Sequence, residues 1–425
     1  MDAGFLVCAV LGGIGLAQAL AMLLHAWEHR RFYRRRRTIP LQGNSPLHVA
    51  LIAPCKGIDI NFRGNLLALF RQWYPRYELC FVVESADDPA VPVIARLARE
   101  HPDVNCRIVT AGIAEDCGQK VHNLMSAVNV VLGGTGAKPD VLAFVDSDAC
   151  PHSEWLARLV ERLASGKHAV STGYRWYVPA TRSWANRLLS AINNTIINLT
   201  GPHGFNLAWG GAWAIRTEEF TKLGLPEAWA GSLSDDLVVS GLVHRAGLRV
   251  GYEPHCLVTS TADFNWQSCC EFLRRQFVVA RVYAPRWWHF GFWSGLATLA
   301  CFWGMLTFAW QFGATNGPWS VPLAIALFTY LAGVLRLDLA ARVVRPFVNV
   351  GGEDYRWVAR WNVWGWPLIS LATWLAVAST IAGRTITWRG ITYRLDSPWQ
   401  TTILKNQLEV RKERHSHART ATRAA

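Results

Sequence analysis

Four stretches of this chain, residues 3–26, 290–312, 317–335 and 363–383, carry no Asp, Glu, Lys or Arg over roughly the 20 residues that a helix needs to cross a bilayer. In hydrocarbon no water satisfies a backbone N–H or C=O. Such stretches are therefore restricted to helices, and whatever else the chain builds must come from the residues between them. The third stretch is short and runs into Arg336 and Asp338, which leaves a buried core helix as its alternative. The 22 Trp and 18 Phe exceed what a soluble enzyme usually carries and suit a chain that meets a membrane interface.

Six arginines crowd residues 30–37, directly after the first apolar stretch. The positive-inside rule places the N-terminus outside and the following residues in the cytoplasm. The stretch has no basic region before it and no small-residue cleavage site, so residues 1–28 are expected to be an uncleaved anchor. The net charge of +13 concentrates in this cluster and in a basic segment at 411–423. Basic residues that flank apolar stretches answer to anionic headgroups, which argues against nucleic acid as a partner.

The C-terminal membrane region is expected over 288–383, with a basic cytosolic tail over 384–425. Four crossings from an outside N-terminus would leave that tail outside, against the same charge rule. One C-terminal stretch should therefore lie in the interface or re-enter. Residues 342–361, which mix Arg345, Tyr355, Arg356, Trp357 and Arg360, have the composition of an interfacial helix. The ten cysteines include no C-x-x-C, and reduced, mostly buried thiols are expected.

Residues 45–285 form the expected cytosolic domain. Short β-rich runs at 48–54, 77–84, 106–111 and 141–145 alternate with helical patterns at 65–72, 89–100, 121–131 and 155–164. Such alternation implies a mostly parallel sheet covered on both faces, with ligands at the carboxyl ends of the strands. The fourth run ends in Asp146-Ser147-Asp148. A D-x-D at a strand end suits a hard divalent cation that bridges a diphosphate, although a loop or helix-cap pair would look the same. Pro54-Cys55-Lys56-Gly57 and Glu84-Ser85-Ala86-Asp87-Asp88 fall at equivalent ends. There Glu84 and Asp88 could receive a nucleoside, and Asp88 could equally cap the helix that follows Pro89.

Three further motifs carry chemistry. Gly118-Gln119-Lys120 opens a helix whose free N–H groups and lysine suit a diphosphate, unless Lys120 is an ordinary surface residue. Trp209-Gly210-Gly211 is a turn that permits close backbone approach to a ligand, or a plain loop. Ser234-Asp235-Asp236-Leu237 offers an N-cap plus more carboxylate than capping requires, and one of the pair could act as a general base.

These six motifs, in this order, resemble the membrane-bound family 2 glycosyltransferases of the GT-A fold, a Rossmann-like α/β nucleotide-sugar domain. Within them they are most similar to the ceramide glucosyltransferase-like group, over about residues 47 to 290 and the flanking anchor. The resemblance implies a UDP-sugar donor and Mg²⁺ or Mn²⁺ on Asp146 and Asp148. It gives Pro54, Glu84, Asp88, Lys120, Asp146, Arg275, Gln276 and Arg281 to the donor, Trp209, Gly210 and Gly211 to the acceptor, and catalysis to Asp236 with Asp235. It also implies inverting transfer of a hexose, glucose foremost, to a lipid hydroxyl such as that of ceramide. A hopanoid, diacylglycerol or polyprenyl phosphate acceptor, a polysaccharide synthase and an inactive scaffold are its alternatives. The family's (Gln/Arg)-x-x-Arg-Trp motif is broken here, because Val278-Val279 replaces the Arg-Trp pair. Arg281, one turn on, is the expected substitute cation.

Overall fold

The computed structural model describes residues 3–43, 45–348 and 350–406, so the basic segment 411–423 lies outside the described residues. A long helix α1 (Ala3–Arg37) leads into β1 (Val49–Cys55), α2 (Phe62–Phe70), β2 (Tyr77–Val83), α3 (Ala90–Glu100), β3 (Cys106–Thr110), α4 (Gln119–Gly133) and β4 (Val141–Val145). Then follow α5 (Trp155–Ala164), β5 (Val170–Pro179), α6 (Trp184–Ile197), β6 (Ala212–Arg216), α7 (Thr217–Lys222), α8 (Leu225–Trp229), α9 (Asp235–Arg245) and β7 (Val250–Ala262). The last part holds α10 (Trp266–Tyr283), α11 (Pro285–Ala314), α12 (Ser320–Val344), α13 (Gly352–Trp364) and α14 (Trp366–Ala378). It ends in β8 (Thr385–Trp388), β9 (Ile391–Ser397) and β10 (Gln400–Asn406).

Strands β1 to β7 make one sheet in the order β3-β2-β1-β4-β6-β5-β7. All neighbours are parallel except at β6, which runs against both β4 and β5. Alternate residues of β1 enter opposite cores: Val49, Leu51 and Ala53 on one face, Ala50 and Ile52 on the other. This two-sided burial explains why the central strands read as continuous apolar runs rather than alternating ones. The antiparallel entry of β6 positions the site. Because Ala212 pairs with Val145, the turn before β6 lies beside the residues that leave β4.

Three helices, Gly4–Arg37, Pro285–Ala314 and Ser320–Phe347, are long and apolar enough to cross a bilayer, which marks the chain as a membrane protein. Helix α12 runs unbroken past Arg336 and Asp338, where the sequence suggested an interruption; Asp338 pairs with Arg342 one turn on, at 2.7 Å. The fourth predicted crossing is not one. Its residues split at Gly365, and α14, with 13 residues, rises only about 20 Å against a hydrocarbon thickness of about 30 Å. If α11 and α12 are the crossings that their length and composition allow, β7 and β8 would lie on the same side. The interfacial segment expected at 342–361 is likewise broken, by a turn at Arg345–Phe347, before α13 begins at Gly352.

Two features were not anticipated. Helix α1 is not a loose tether: Tyr33 Oη lies 2.8 Å from Tyr252 Oη, and Arg36 pairs with the buried Glu253 of β7. Residues 385–406, expected to be tail, form a three-stranded antiparallel sheet. The signal was present in Ile386, Trp388, Ile391, Tyr393 and Leu395, alternating apolar residues around Arg389-Gly390. Both turn residues have positive φ, 51° and 79°, as a two-residue type I′ hairpin requires.

Candidate active site

A cavity of about 610 Å³ opens at the carboxyl ends of β1 and β4. Its walls come from the strand ends, the N-termini of α4 and α9, the turn before β6, helix α10 and the β8–β9 hairpin. At its centre Lys120 Nζ lies 2.8 Å from Asp146 Oδ1 and 3.2 Å from Asp235 Oδ1, and it donates to the Gly210 carbonyl at 3.1 Å. Burial alone would lower the lysine's pKa, but Asp146, Asp235 and Asp236 hold it above the ordinary value. Lys120 is therefore a fixed cation inside the site and not a surface residue.

The four carboxylates differ in their surroundings. Burial pushes the Asp146 pKa up, but the adjacent Lys120 ammonium, helped by Arg175 and Arg389, leaves it below the usual range. Asp148 is shifted upward by burial, since Arg175 approaches only to 3.5 Å while Asp146 and Asp59 repel it. Its Oδ1 is buried without a hydrogen-bond partner. Asp236 is saturated instead: Oδ2 accepts from the Gly210 N–H at 2.7 Å, and Oδ1 from the Ser234 hydroxyl at 2.6 Å and the Leu237 N–H at 2.8 Å. Asp235 is buried, its Oδ2 lacks a partner, and burial raises its pKa to about 7, Lys120 opposing and Asp236 and Asp146 assisting.

Folded Asp235 thus keeps its proton to about pH 7, whereas an unfolded aspartate releases it near pH 4. Between these values the native state holds more protons than the unfolded one, so stability falls as pH rises through the window. Asp235→Asn removes the titrating group. Its stability should fall less from about pH 4 to about pH 8 than the wild type's, by up to about 4 kcal/mol at roughly 1.4 kcal/mol per unit. Thermal unfolding of both proteins across that range measures this, and equal slopes would contradict the protonation assigned to Asp235.

The Gly210-Gly211 turn is dictated by crowding. A Cβ on Gly210 would stand 2.8 Å from Lys120 Nζ, and one on Gly211 would stand 2.8 Å from Asp146 Oδ2 and 2.3 Å from the Trp209 ring. No side chain fits between these carboxylates and the lysine. Gly211 itself holds the D-x-D, since its carbonyl accepts from the Asp146 N–H at 3.4 Å.

Of the residues singled out from sequence, Pro54, Lys120, Asp146, Asp148, Trp209, Gly210, Asp235, Asp236, Arg275 and Gln276 line the cavity. Gly211 lies directly behind it. Glu84 and Asp88 do not line it: Glu84 pairs with Lys56 at 2.6 Å, and Asp88 accepts from Gly57 N–H at 3.0 Å and Ala90 N–H at 2.8 Å. Asp88 thereby caps α3 and clasps the loop after β1. Arg281 does not line it either. Its guanidinium donates to the carbonyls of Ile381 and Gly383, tying α10 to the segment after α14.

Sequence reasoning missed Asp59, Arg175, Trp388 and Arg389, all in the cavity wall, where Lys56 of the Pro54-Cys55-Lys56-Gly57 motif also lies. Arg389 Nη2 bonds both oxygens of Asp59, at 2.7 and 2.9 Å, and Trp388 lies 5.3 Å from the Arg275 guanidinium. The hairpin that carries Trp388 and Arg389 is seated on Val278, which is fully buried among Ile386, Ile391, Tyr393 and Leu395. Where Arg-Trp was expected in α10, an apolar pair supports a hairpin that delivers Trp and Arg from elsewhere in the chain.

Asp146 and Asp148 suit a divalent cation: two hard oxygen donors on a strand end, one with a buried unsatisfied oxygen. Among the described residues no group of three or more His, Cys, Asp or Glu could hold a metal alone. An ion here would take its remaining ligands from water and a diphosphate, as Mg²⁺ commonly does.

A mostly parallel sheet covered on both faces, with a D-x-D leaving a central strand beside a Gly-Gly turn, defines a GT-A-like α/β domain, here carried by a membrane protein. Residues 10–401 match the model of glycosyl transferase family 21, and the chain belongs to that family. A ceramide glucosyltransferase of Komagataella phaffii is 30% identical over 141 residues, 32% of this chain and 26% of the relative. Ceramide glucosyltransferase 3 of Caenorhabditis elegans is 33% identical over 84 residues, 20% of this chain and 18% of the relative. The matches thus span about a quarter of these relatives or less. Among solved structures, the mannosyltransferase PcManGT from Pyrobaculum calidifontis, in complex with GDP-Man and Mn²⁺, superposes with a TM-score of 0.44 at 17% identity, covering 87% of this chain and 98% of that one.

Proposed function

We propose that this protein is an inverting glycosyltransferase that moves a hexose, glucose foremost, from a UDP-sugar to the hydroxyl of a membrane lipid such as ceramide. The observation that carries the reading is the cavity itself, where Asp146 and Asp148 stand with Lys120 beside a second, separately held pair, Asp235 and Asp236. One pair serves the donor and the other the acceptor. The sequence similarity to ceramide glucosyltransferases supports the lipid acceptor.

In this reading Asp236 faces the acceptor. Its carboxylate, oriented by Gly210, Ser234 and Leu237, takes the proton of the lipid hydroxyl as that oxygen forms the new bond to the anomeric carbon. The bond to the diphosphate breaks on the opposite face and the electron pair leaves with the nucleoside diphosphate, so a single displacement inverts the anomeric centre. A divalent ion on Asp146 and Asp148 supplies Lewis-acid stabilisation of that charge when bound. Lys120 holds Asp146 and Asp235 at fixed separation. Arg275, which has no carboxylate partner among the described residues, and Arg389 take up the negative charge assigned from sequence to Arg281.

The acceptor enters from the membrane side along α10, which lines the cavity through Phe272 and continues into the crossing helix α11. Exposed Trp184, Trp266 and Trp364 lie on α6, α10 and α13, as aromatic residues do at headgroup depth. In this reading the cavity faces the cytoplasm, which the arginines at the end of α1 support through the positive-inside rule. Mass spectrometry of lipids from cells with and without the protein tests the reading: a monohexosylated lipid should appear with the protein, and an unchanged lipid profile beside a new sugar polymer would overturn it.

Arg389→Ala is expected to raise the donor KM by roughly ten-fold or more, the scale of a lost charge-assisted hydrogen bond. Stability should change by less than about 1 kcal/mol, since the pair with Asp59 is half-exposed. Initial-rate kinetics against donor concentration measure this, and an unchanged KM would remove Arg389 from the donor site.

A further inference from the structure

A second cavity, of about 320 Å³, lies between the ends of two crossing helices, α1 and α12. From α1 it receives Arg30, Tyr33, Arg34 and Arg37, and from α12 and the turn after it Leu339, Arg342, Val343 and Pro346. Both sets follow the i, i+3, i+4, i+7 spacing of a single helical face, so two stripes are turned towards one another. Four arginines line it, three of them with exposed side chains, and no carboxylate stands in the wall. Arg342 is tied to Asp338, but Arg30, Arg34 and Arg37 have no hydrogen-bond or ion-pair partner through their side chains among the described residues.

Four like charges around one cleft give it a positive potential that favours entry of an anion. The cavity's depth identifies the anion. Leu24 and Trp27 on α1 and Leu331 and Leu335 on α12 are exposed apolar residues, as in contact with lipid; Arg30 follows Trp27 within one turn and Arg342 follows Leu335 by two. The cavity therefore sits at the headgroup layer, with Leu339, Val343 and Phe347 as an apolar wall for the glycerol and upper chain. We propose that this cleft is a binding site for one anionic phospholipid, its phosphate held by Arg30, Arg34, Arg37 and Arg342. The site lies outside the catalytic cavity, and it differs from the diffuse attraction of a basic cluster for a charged membrane. Next to it, Tyr33 and Arg36 join α1 to Tyr252 and Glu253 of the catalytic sheet, so the lipid would brace the domain on the bilayer.

The test uses the full-length protein in detergent, with dioleoyl phosphatidylglycerol, dioleoyl phosphatidylcholine or inorganic phosphate added, read by native mass spectrometry and thermal unfolding. Wild type should retain one phosphatidylglycerol and be stabilised by it, and not by phosphatidylcholine or by phosphate at equal concentration. Arg34→Gln with Arg342→Gln should weaken retention about 100-fold or more, at roughly ten-fold or more per charge-assisted hydrogen bond lost to the phosphate. Arg31→Gln with Arg35→Gln removes equal charge from the same helix outside the cleft and should leave retention within about two-fold. Leu339→Trp fills the cleft without changing charge and should also expel the lipid, which guards against misfolding of the arginine variant. Equal loss in both arginine pairs would reduce the site to diffuse attraction and overturn the proposal. Stabilisation by phosphate alone would assign the cleft to a soluble anion, and that too would overturn it.

Discussion

Asp236→Asn is expected to lower kcat by about 10²- to 10⁴-fold, the range for loss of a positioned general base. The substitution keeps the shape of the side chain and removes the charge. It also puts an amide N–H against the Gly210 N–H, where a carboxylate oxygen now accepts at 2.7 Å, so a stability loss of about 1–3 kcal/mol should accompany it. The two effects separate by measurement. Turnover is determined at saturating donor and acceptor, corrected for the folded fraction, while UDP affinity is read by calorimetry. UDP affinity should stay within a few-fold, because Asp236 is proposed to serve the acceptor. Turnover within ten-fold of wild type would mean that another group takes the proton, and Asp235 would be next in line.

Asp148→Asn should be as damaging to activity and harmless to the fold. A divalent ion contributes several kcal/mol to charge stabilisation, so losing one of its two protein ligands is expected to cost about 10²- to 10⁴-fold in kcat/KM. Yet the native surroundings of Asp148 oppose its charge. Burial and the neighbouring Asp146 and Asp59 raise its pKa, the 3.5 Å ion pair with Arg175 opposes this without reversing it, and Oδ1 has no partner. A neutral amide should therefore leave the metal-free protein equally or more stable. In the wild type, Mg²⁺ or Mn²⁺ together with UDP should raise the melting temperature, and in the variant that increment should vanish. A variant that loses activity and also unfolds without ligand would show that Asp148 is structural.

The contrast between these two aspartates shows where sequence is informative. The doubly covered sheet was legible from 48 to 164 because strands buried on both faces write continuous apolar runs, and amphipathic helices separate them. Asp146, Asp148, Lys120 and Asp236 were legible because each follows a strand or opens a helix, where backbone geometry presents a side chain to a cleft. The third dimension was not. Arg175 sits in the middle of β5, beside the irregularity at which β7 advances from Tyr252 to Leu257 while β5 advances only from Thr172 to Tyr174, and nothing local in the sequence marks it as a cavity residue. Arg389 is more than 240 residues from Asp146 along the chain, and nothing local connects them. The absent Arg-Trp pair was visible in the sequence, and Arg281 was expected one turn along the same helix. In the structure Arg281 does not line the cavity, whereas Trp388 and Arg389 of the hairpin resting on Val278 do. The fourth apolar stretch misled for a simpler reason. Its composition is that of a span, but the break at Gly365 and the end of the helix at Ala378 leave α14 with 13 residues.

Transfer of one sugar, with inversion, to a membrane lipid is the activity proposed for this cavity. The most direct test is proton NMR of the product made by purified full-length protein in lipid nanodiscs, given UDP-glucose, ceramide and Mg²⁺ or Mn²⁺. The account predicts a single β-linked hexose on the lipid hydroxyl, absent when Asp236 is replaced by Asn. An α-linked product, a sugar chain, or undiminished transfer by that variant would contradict it.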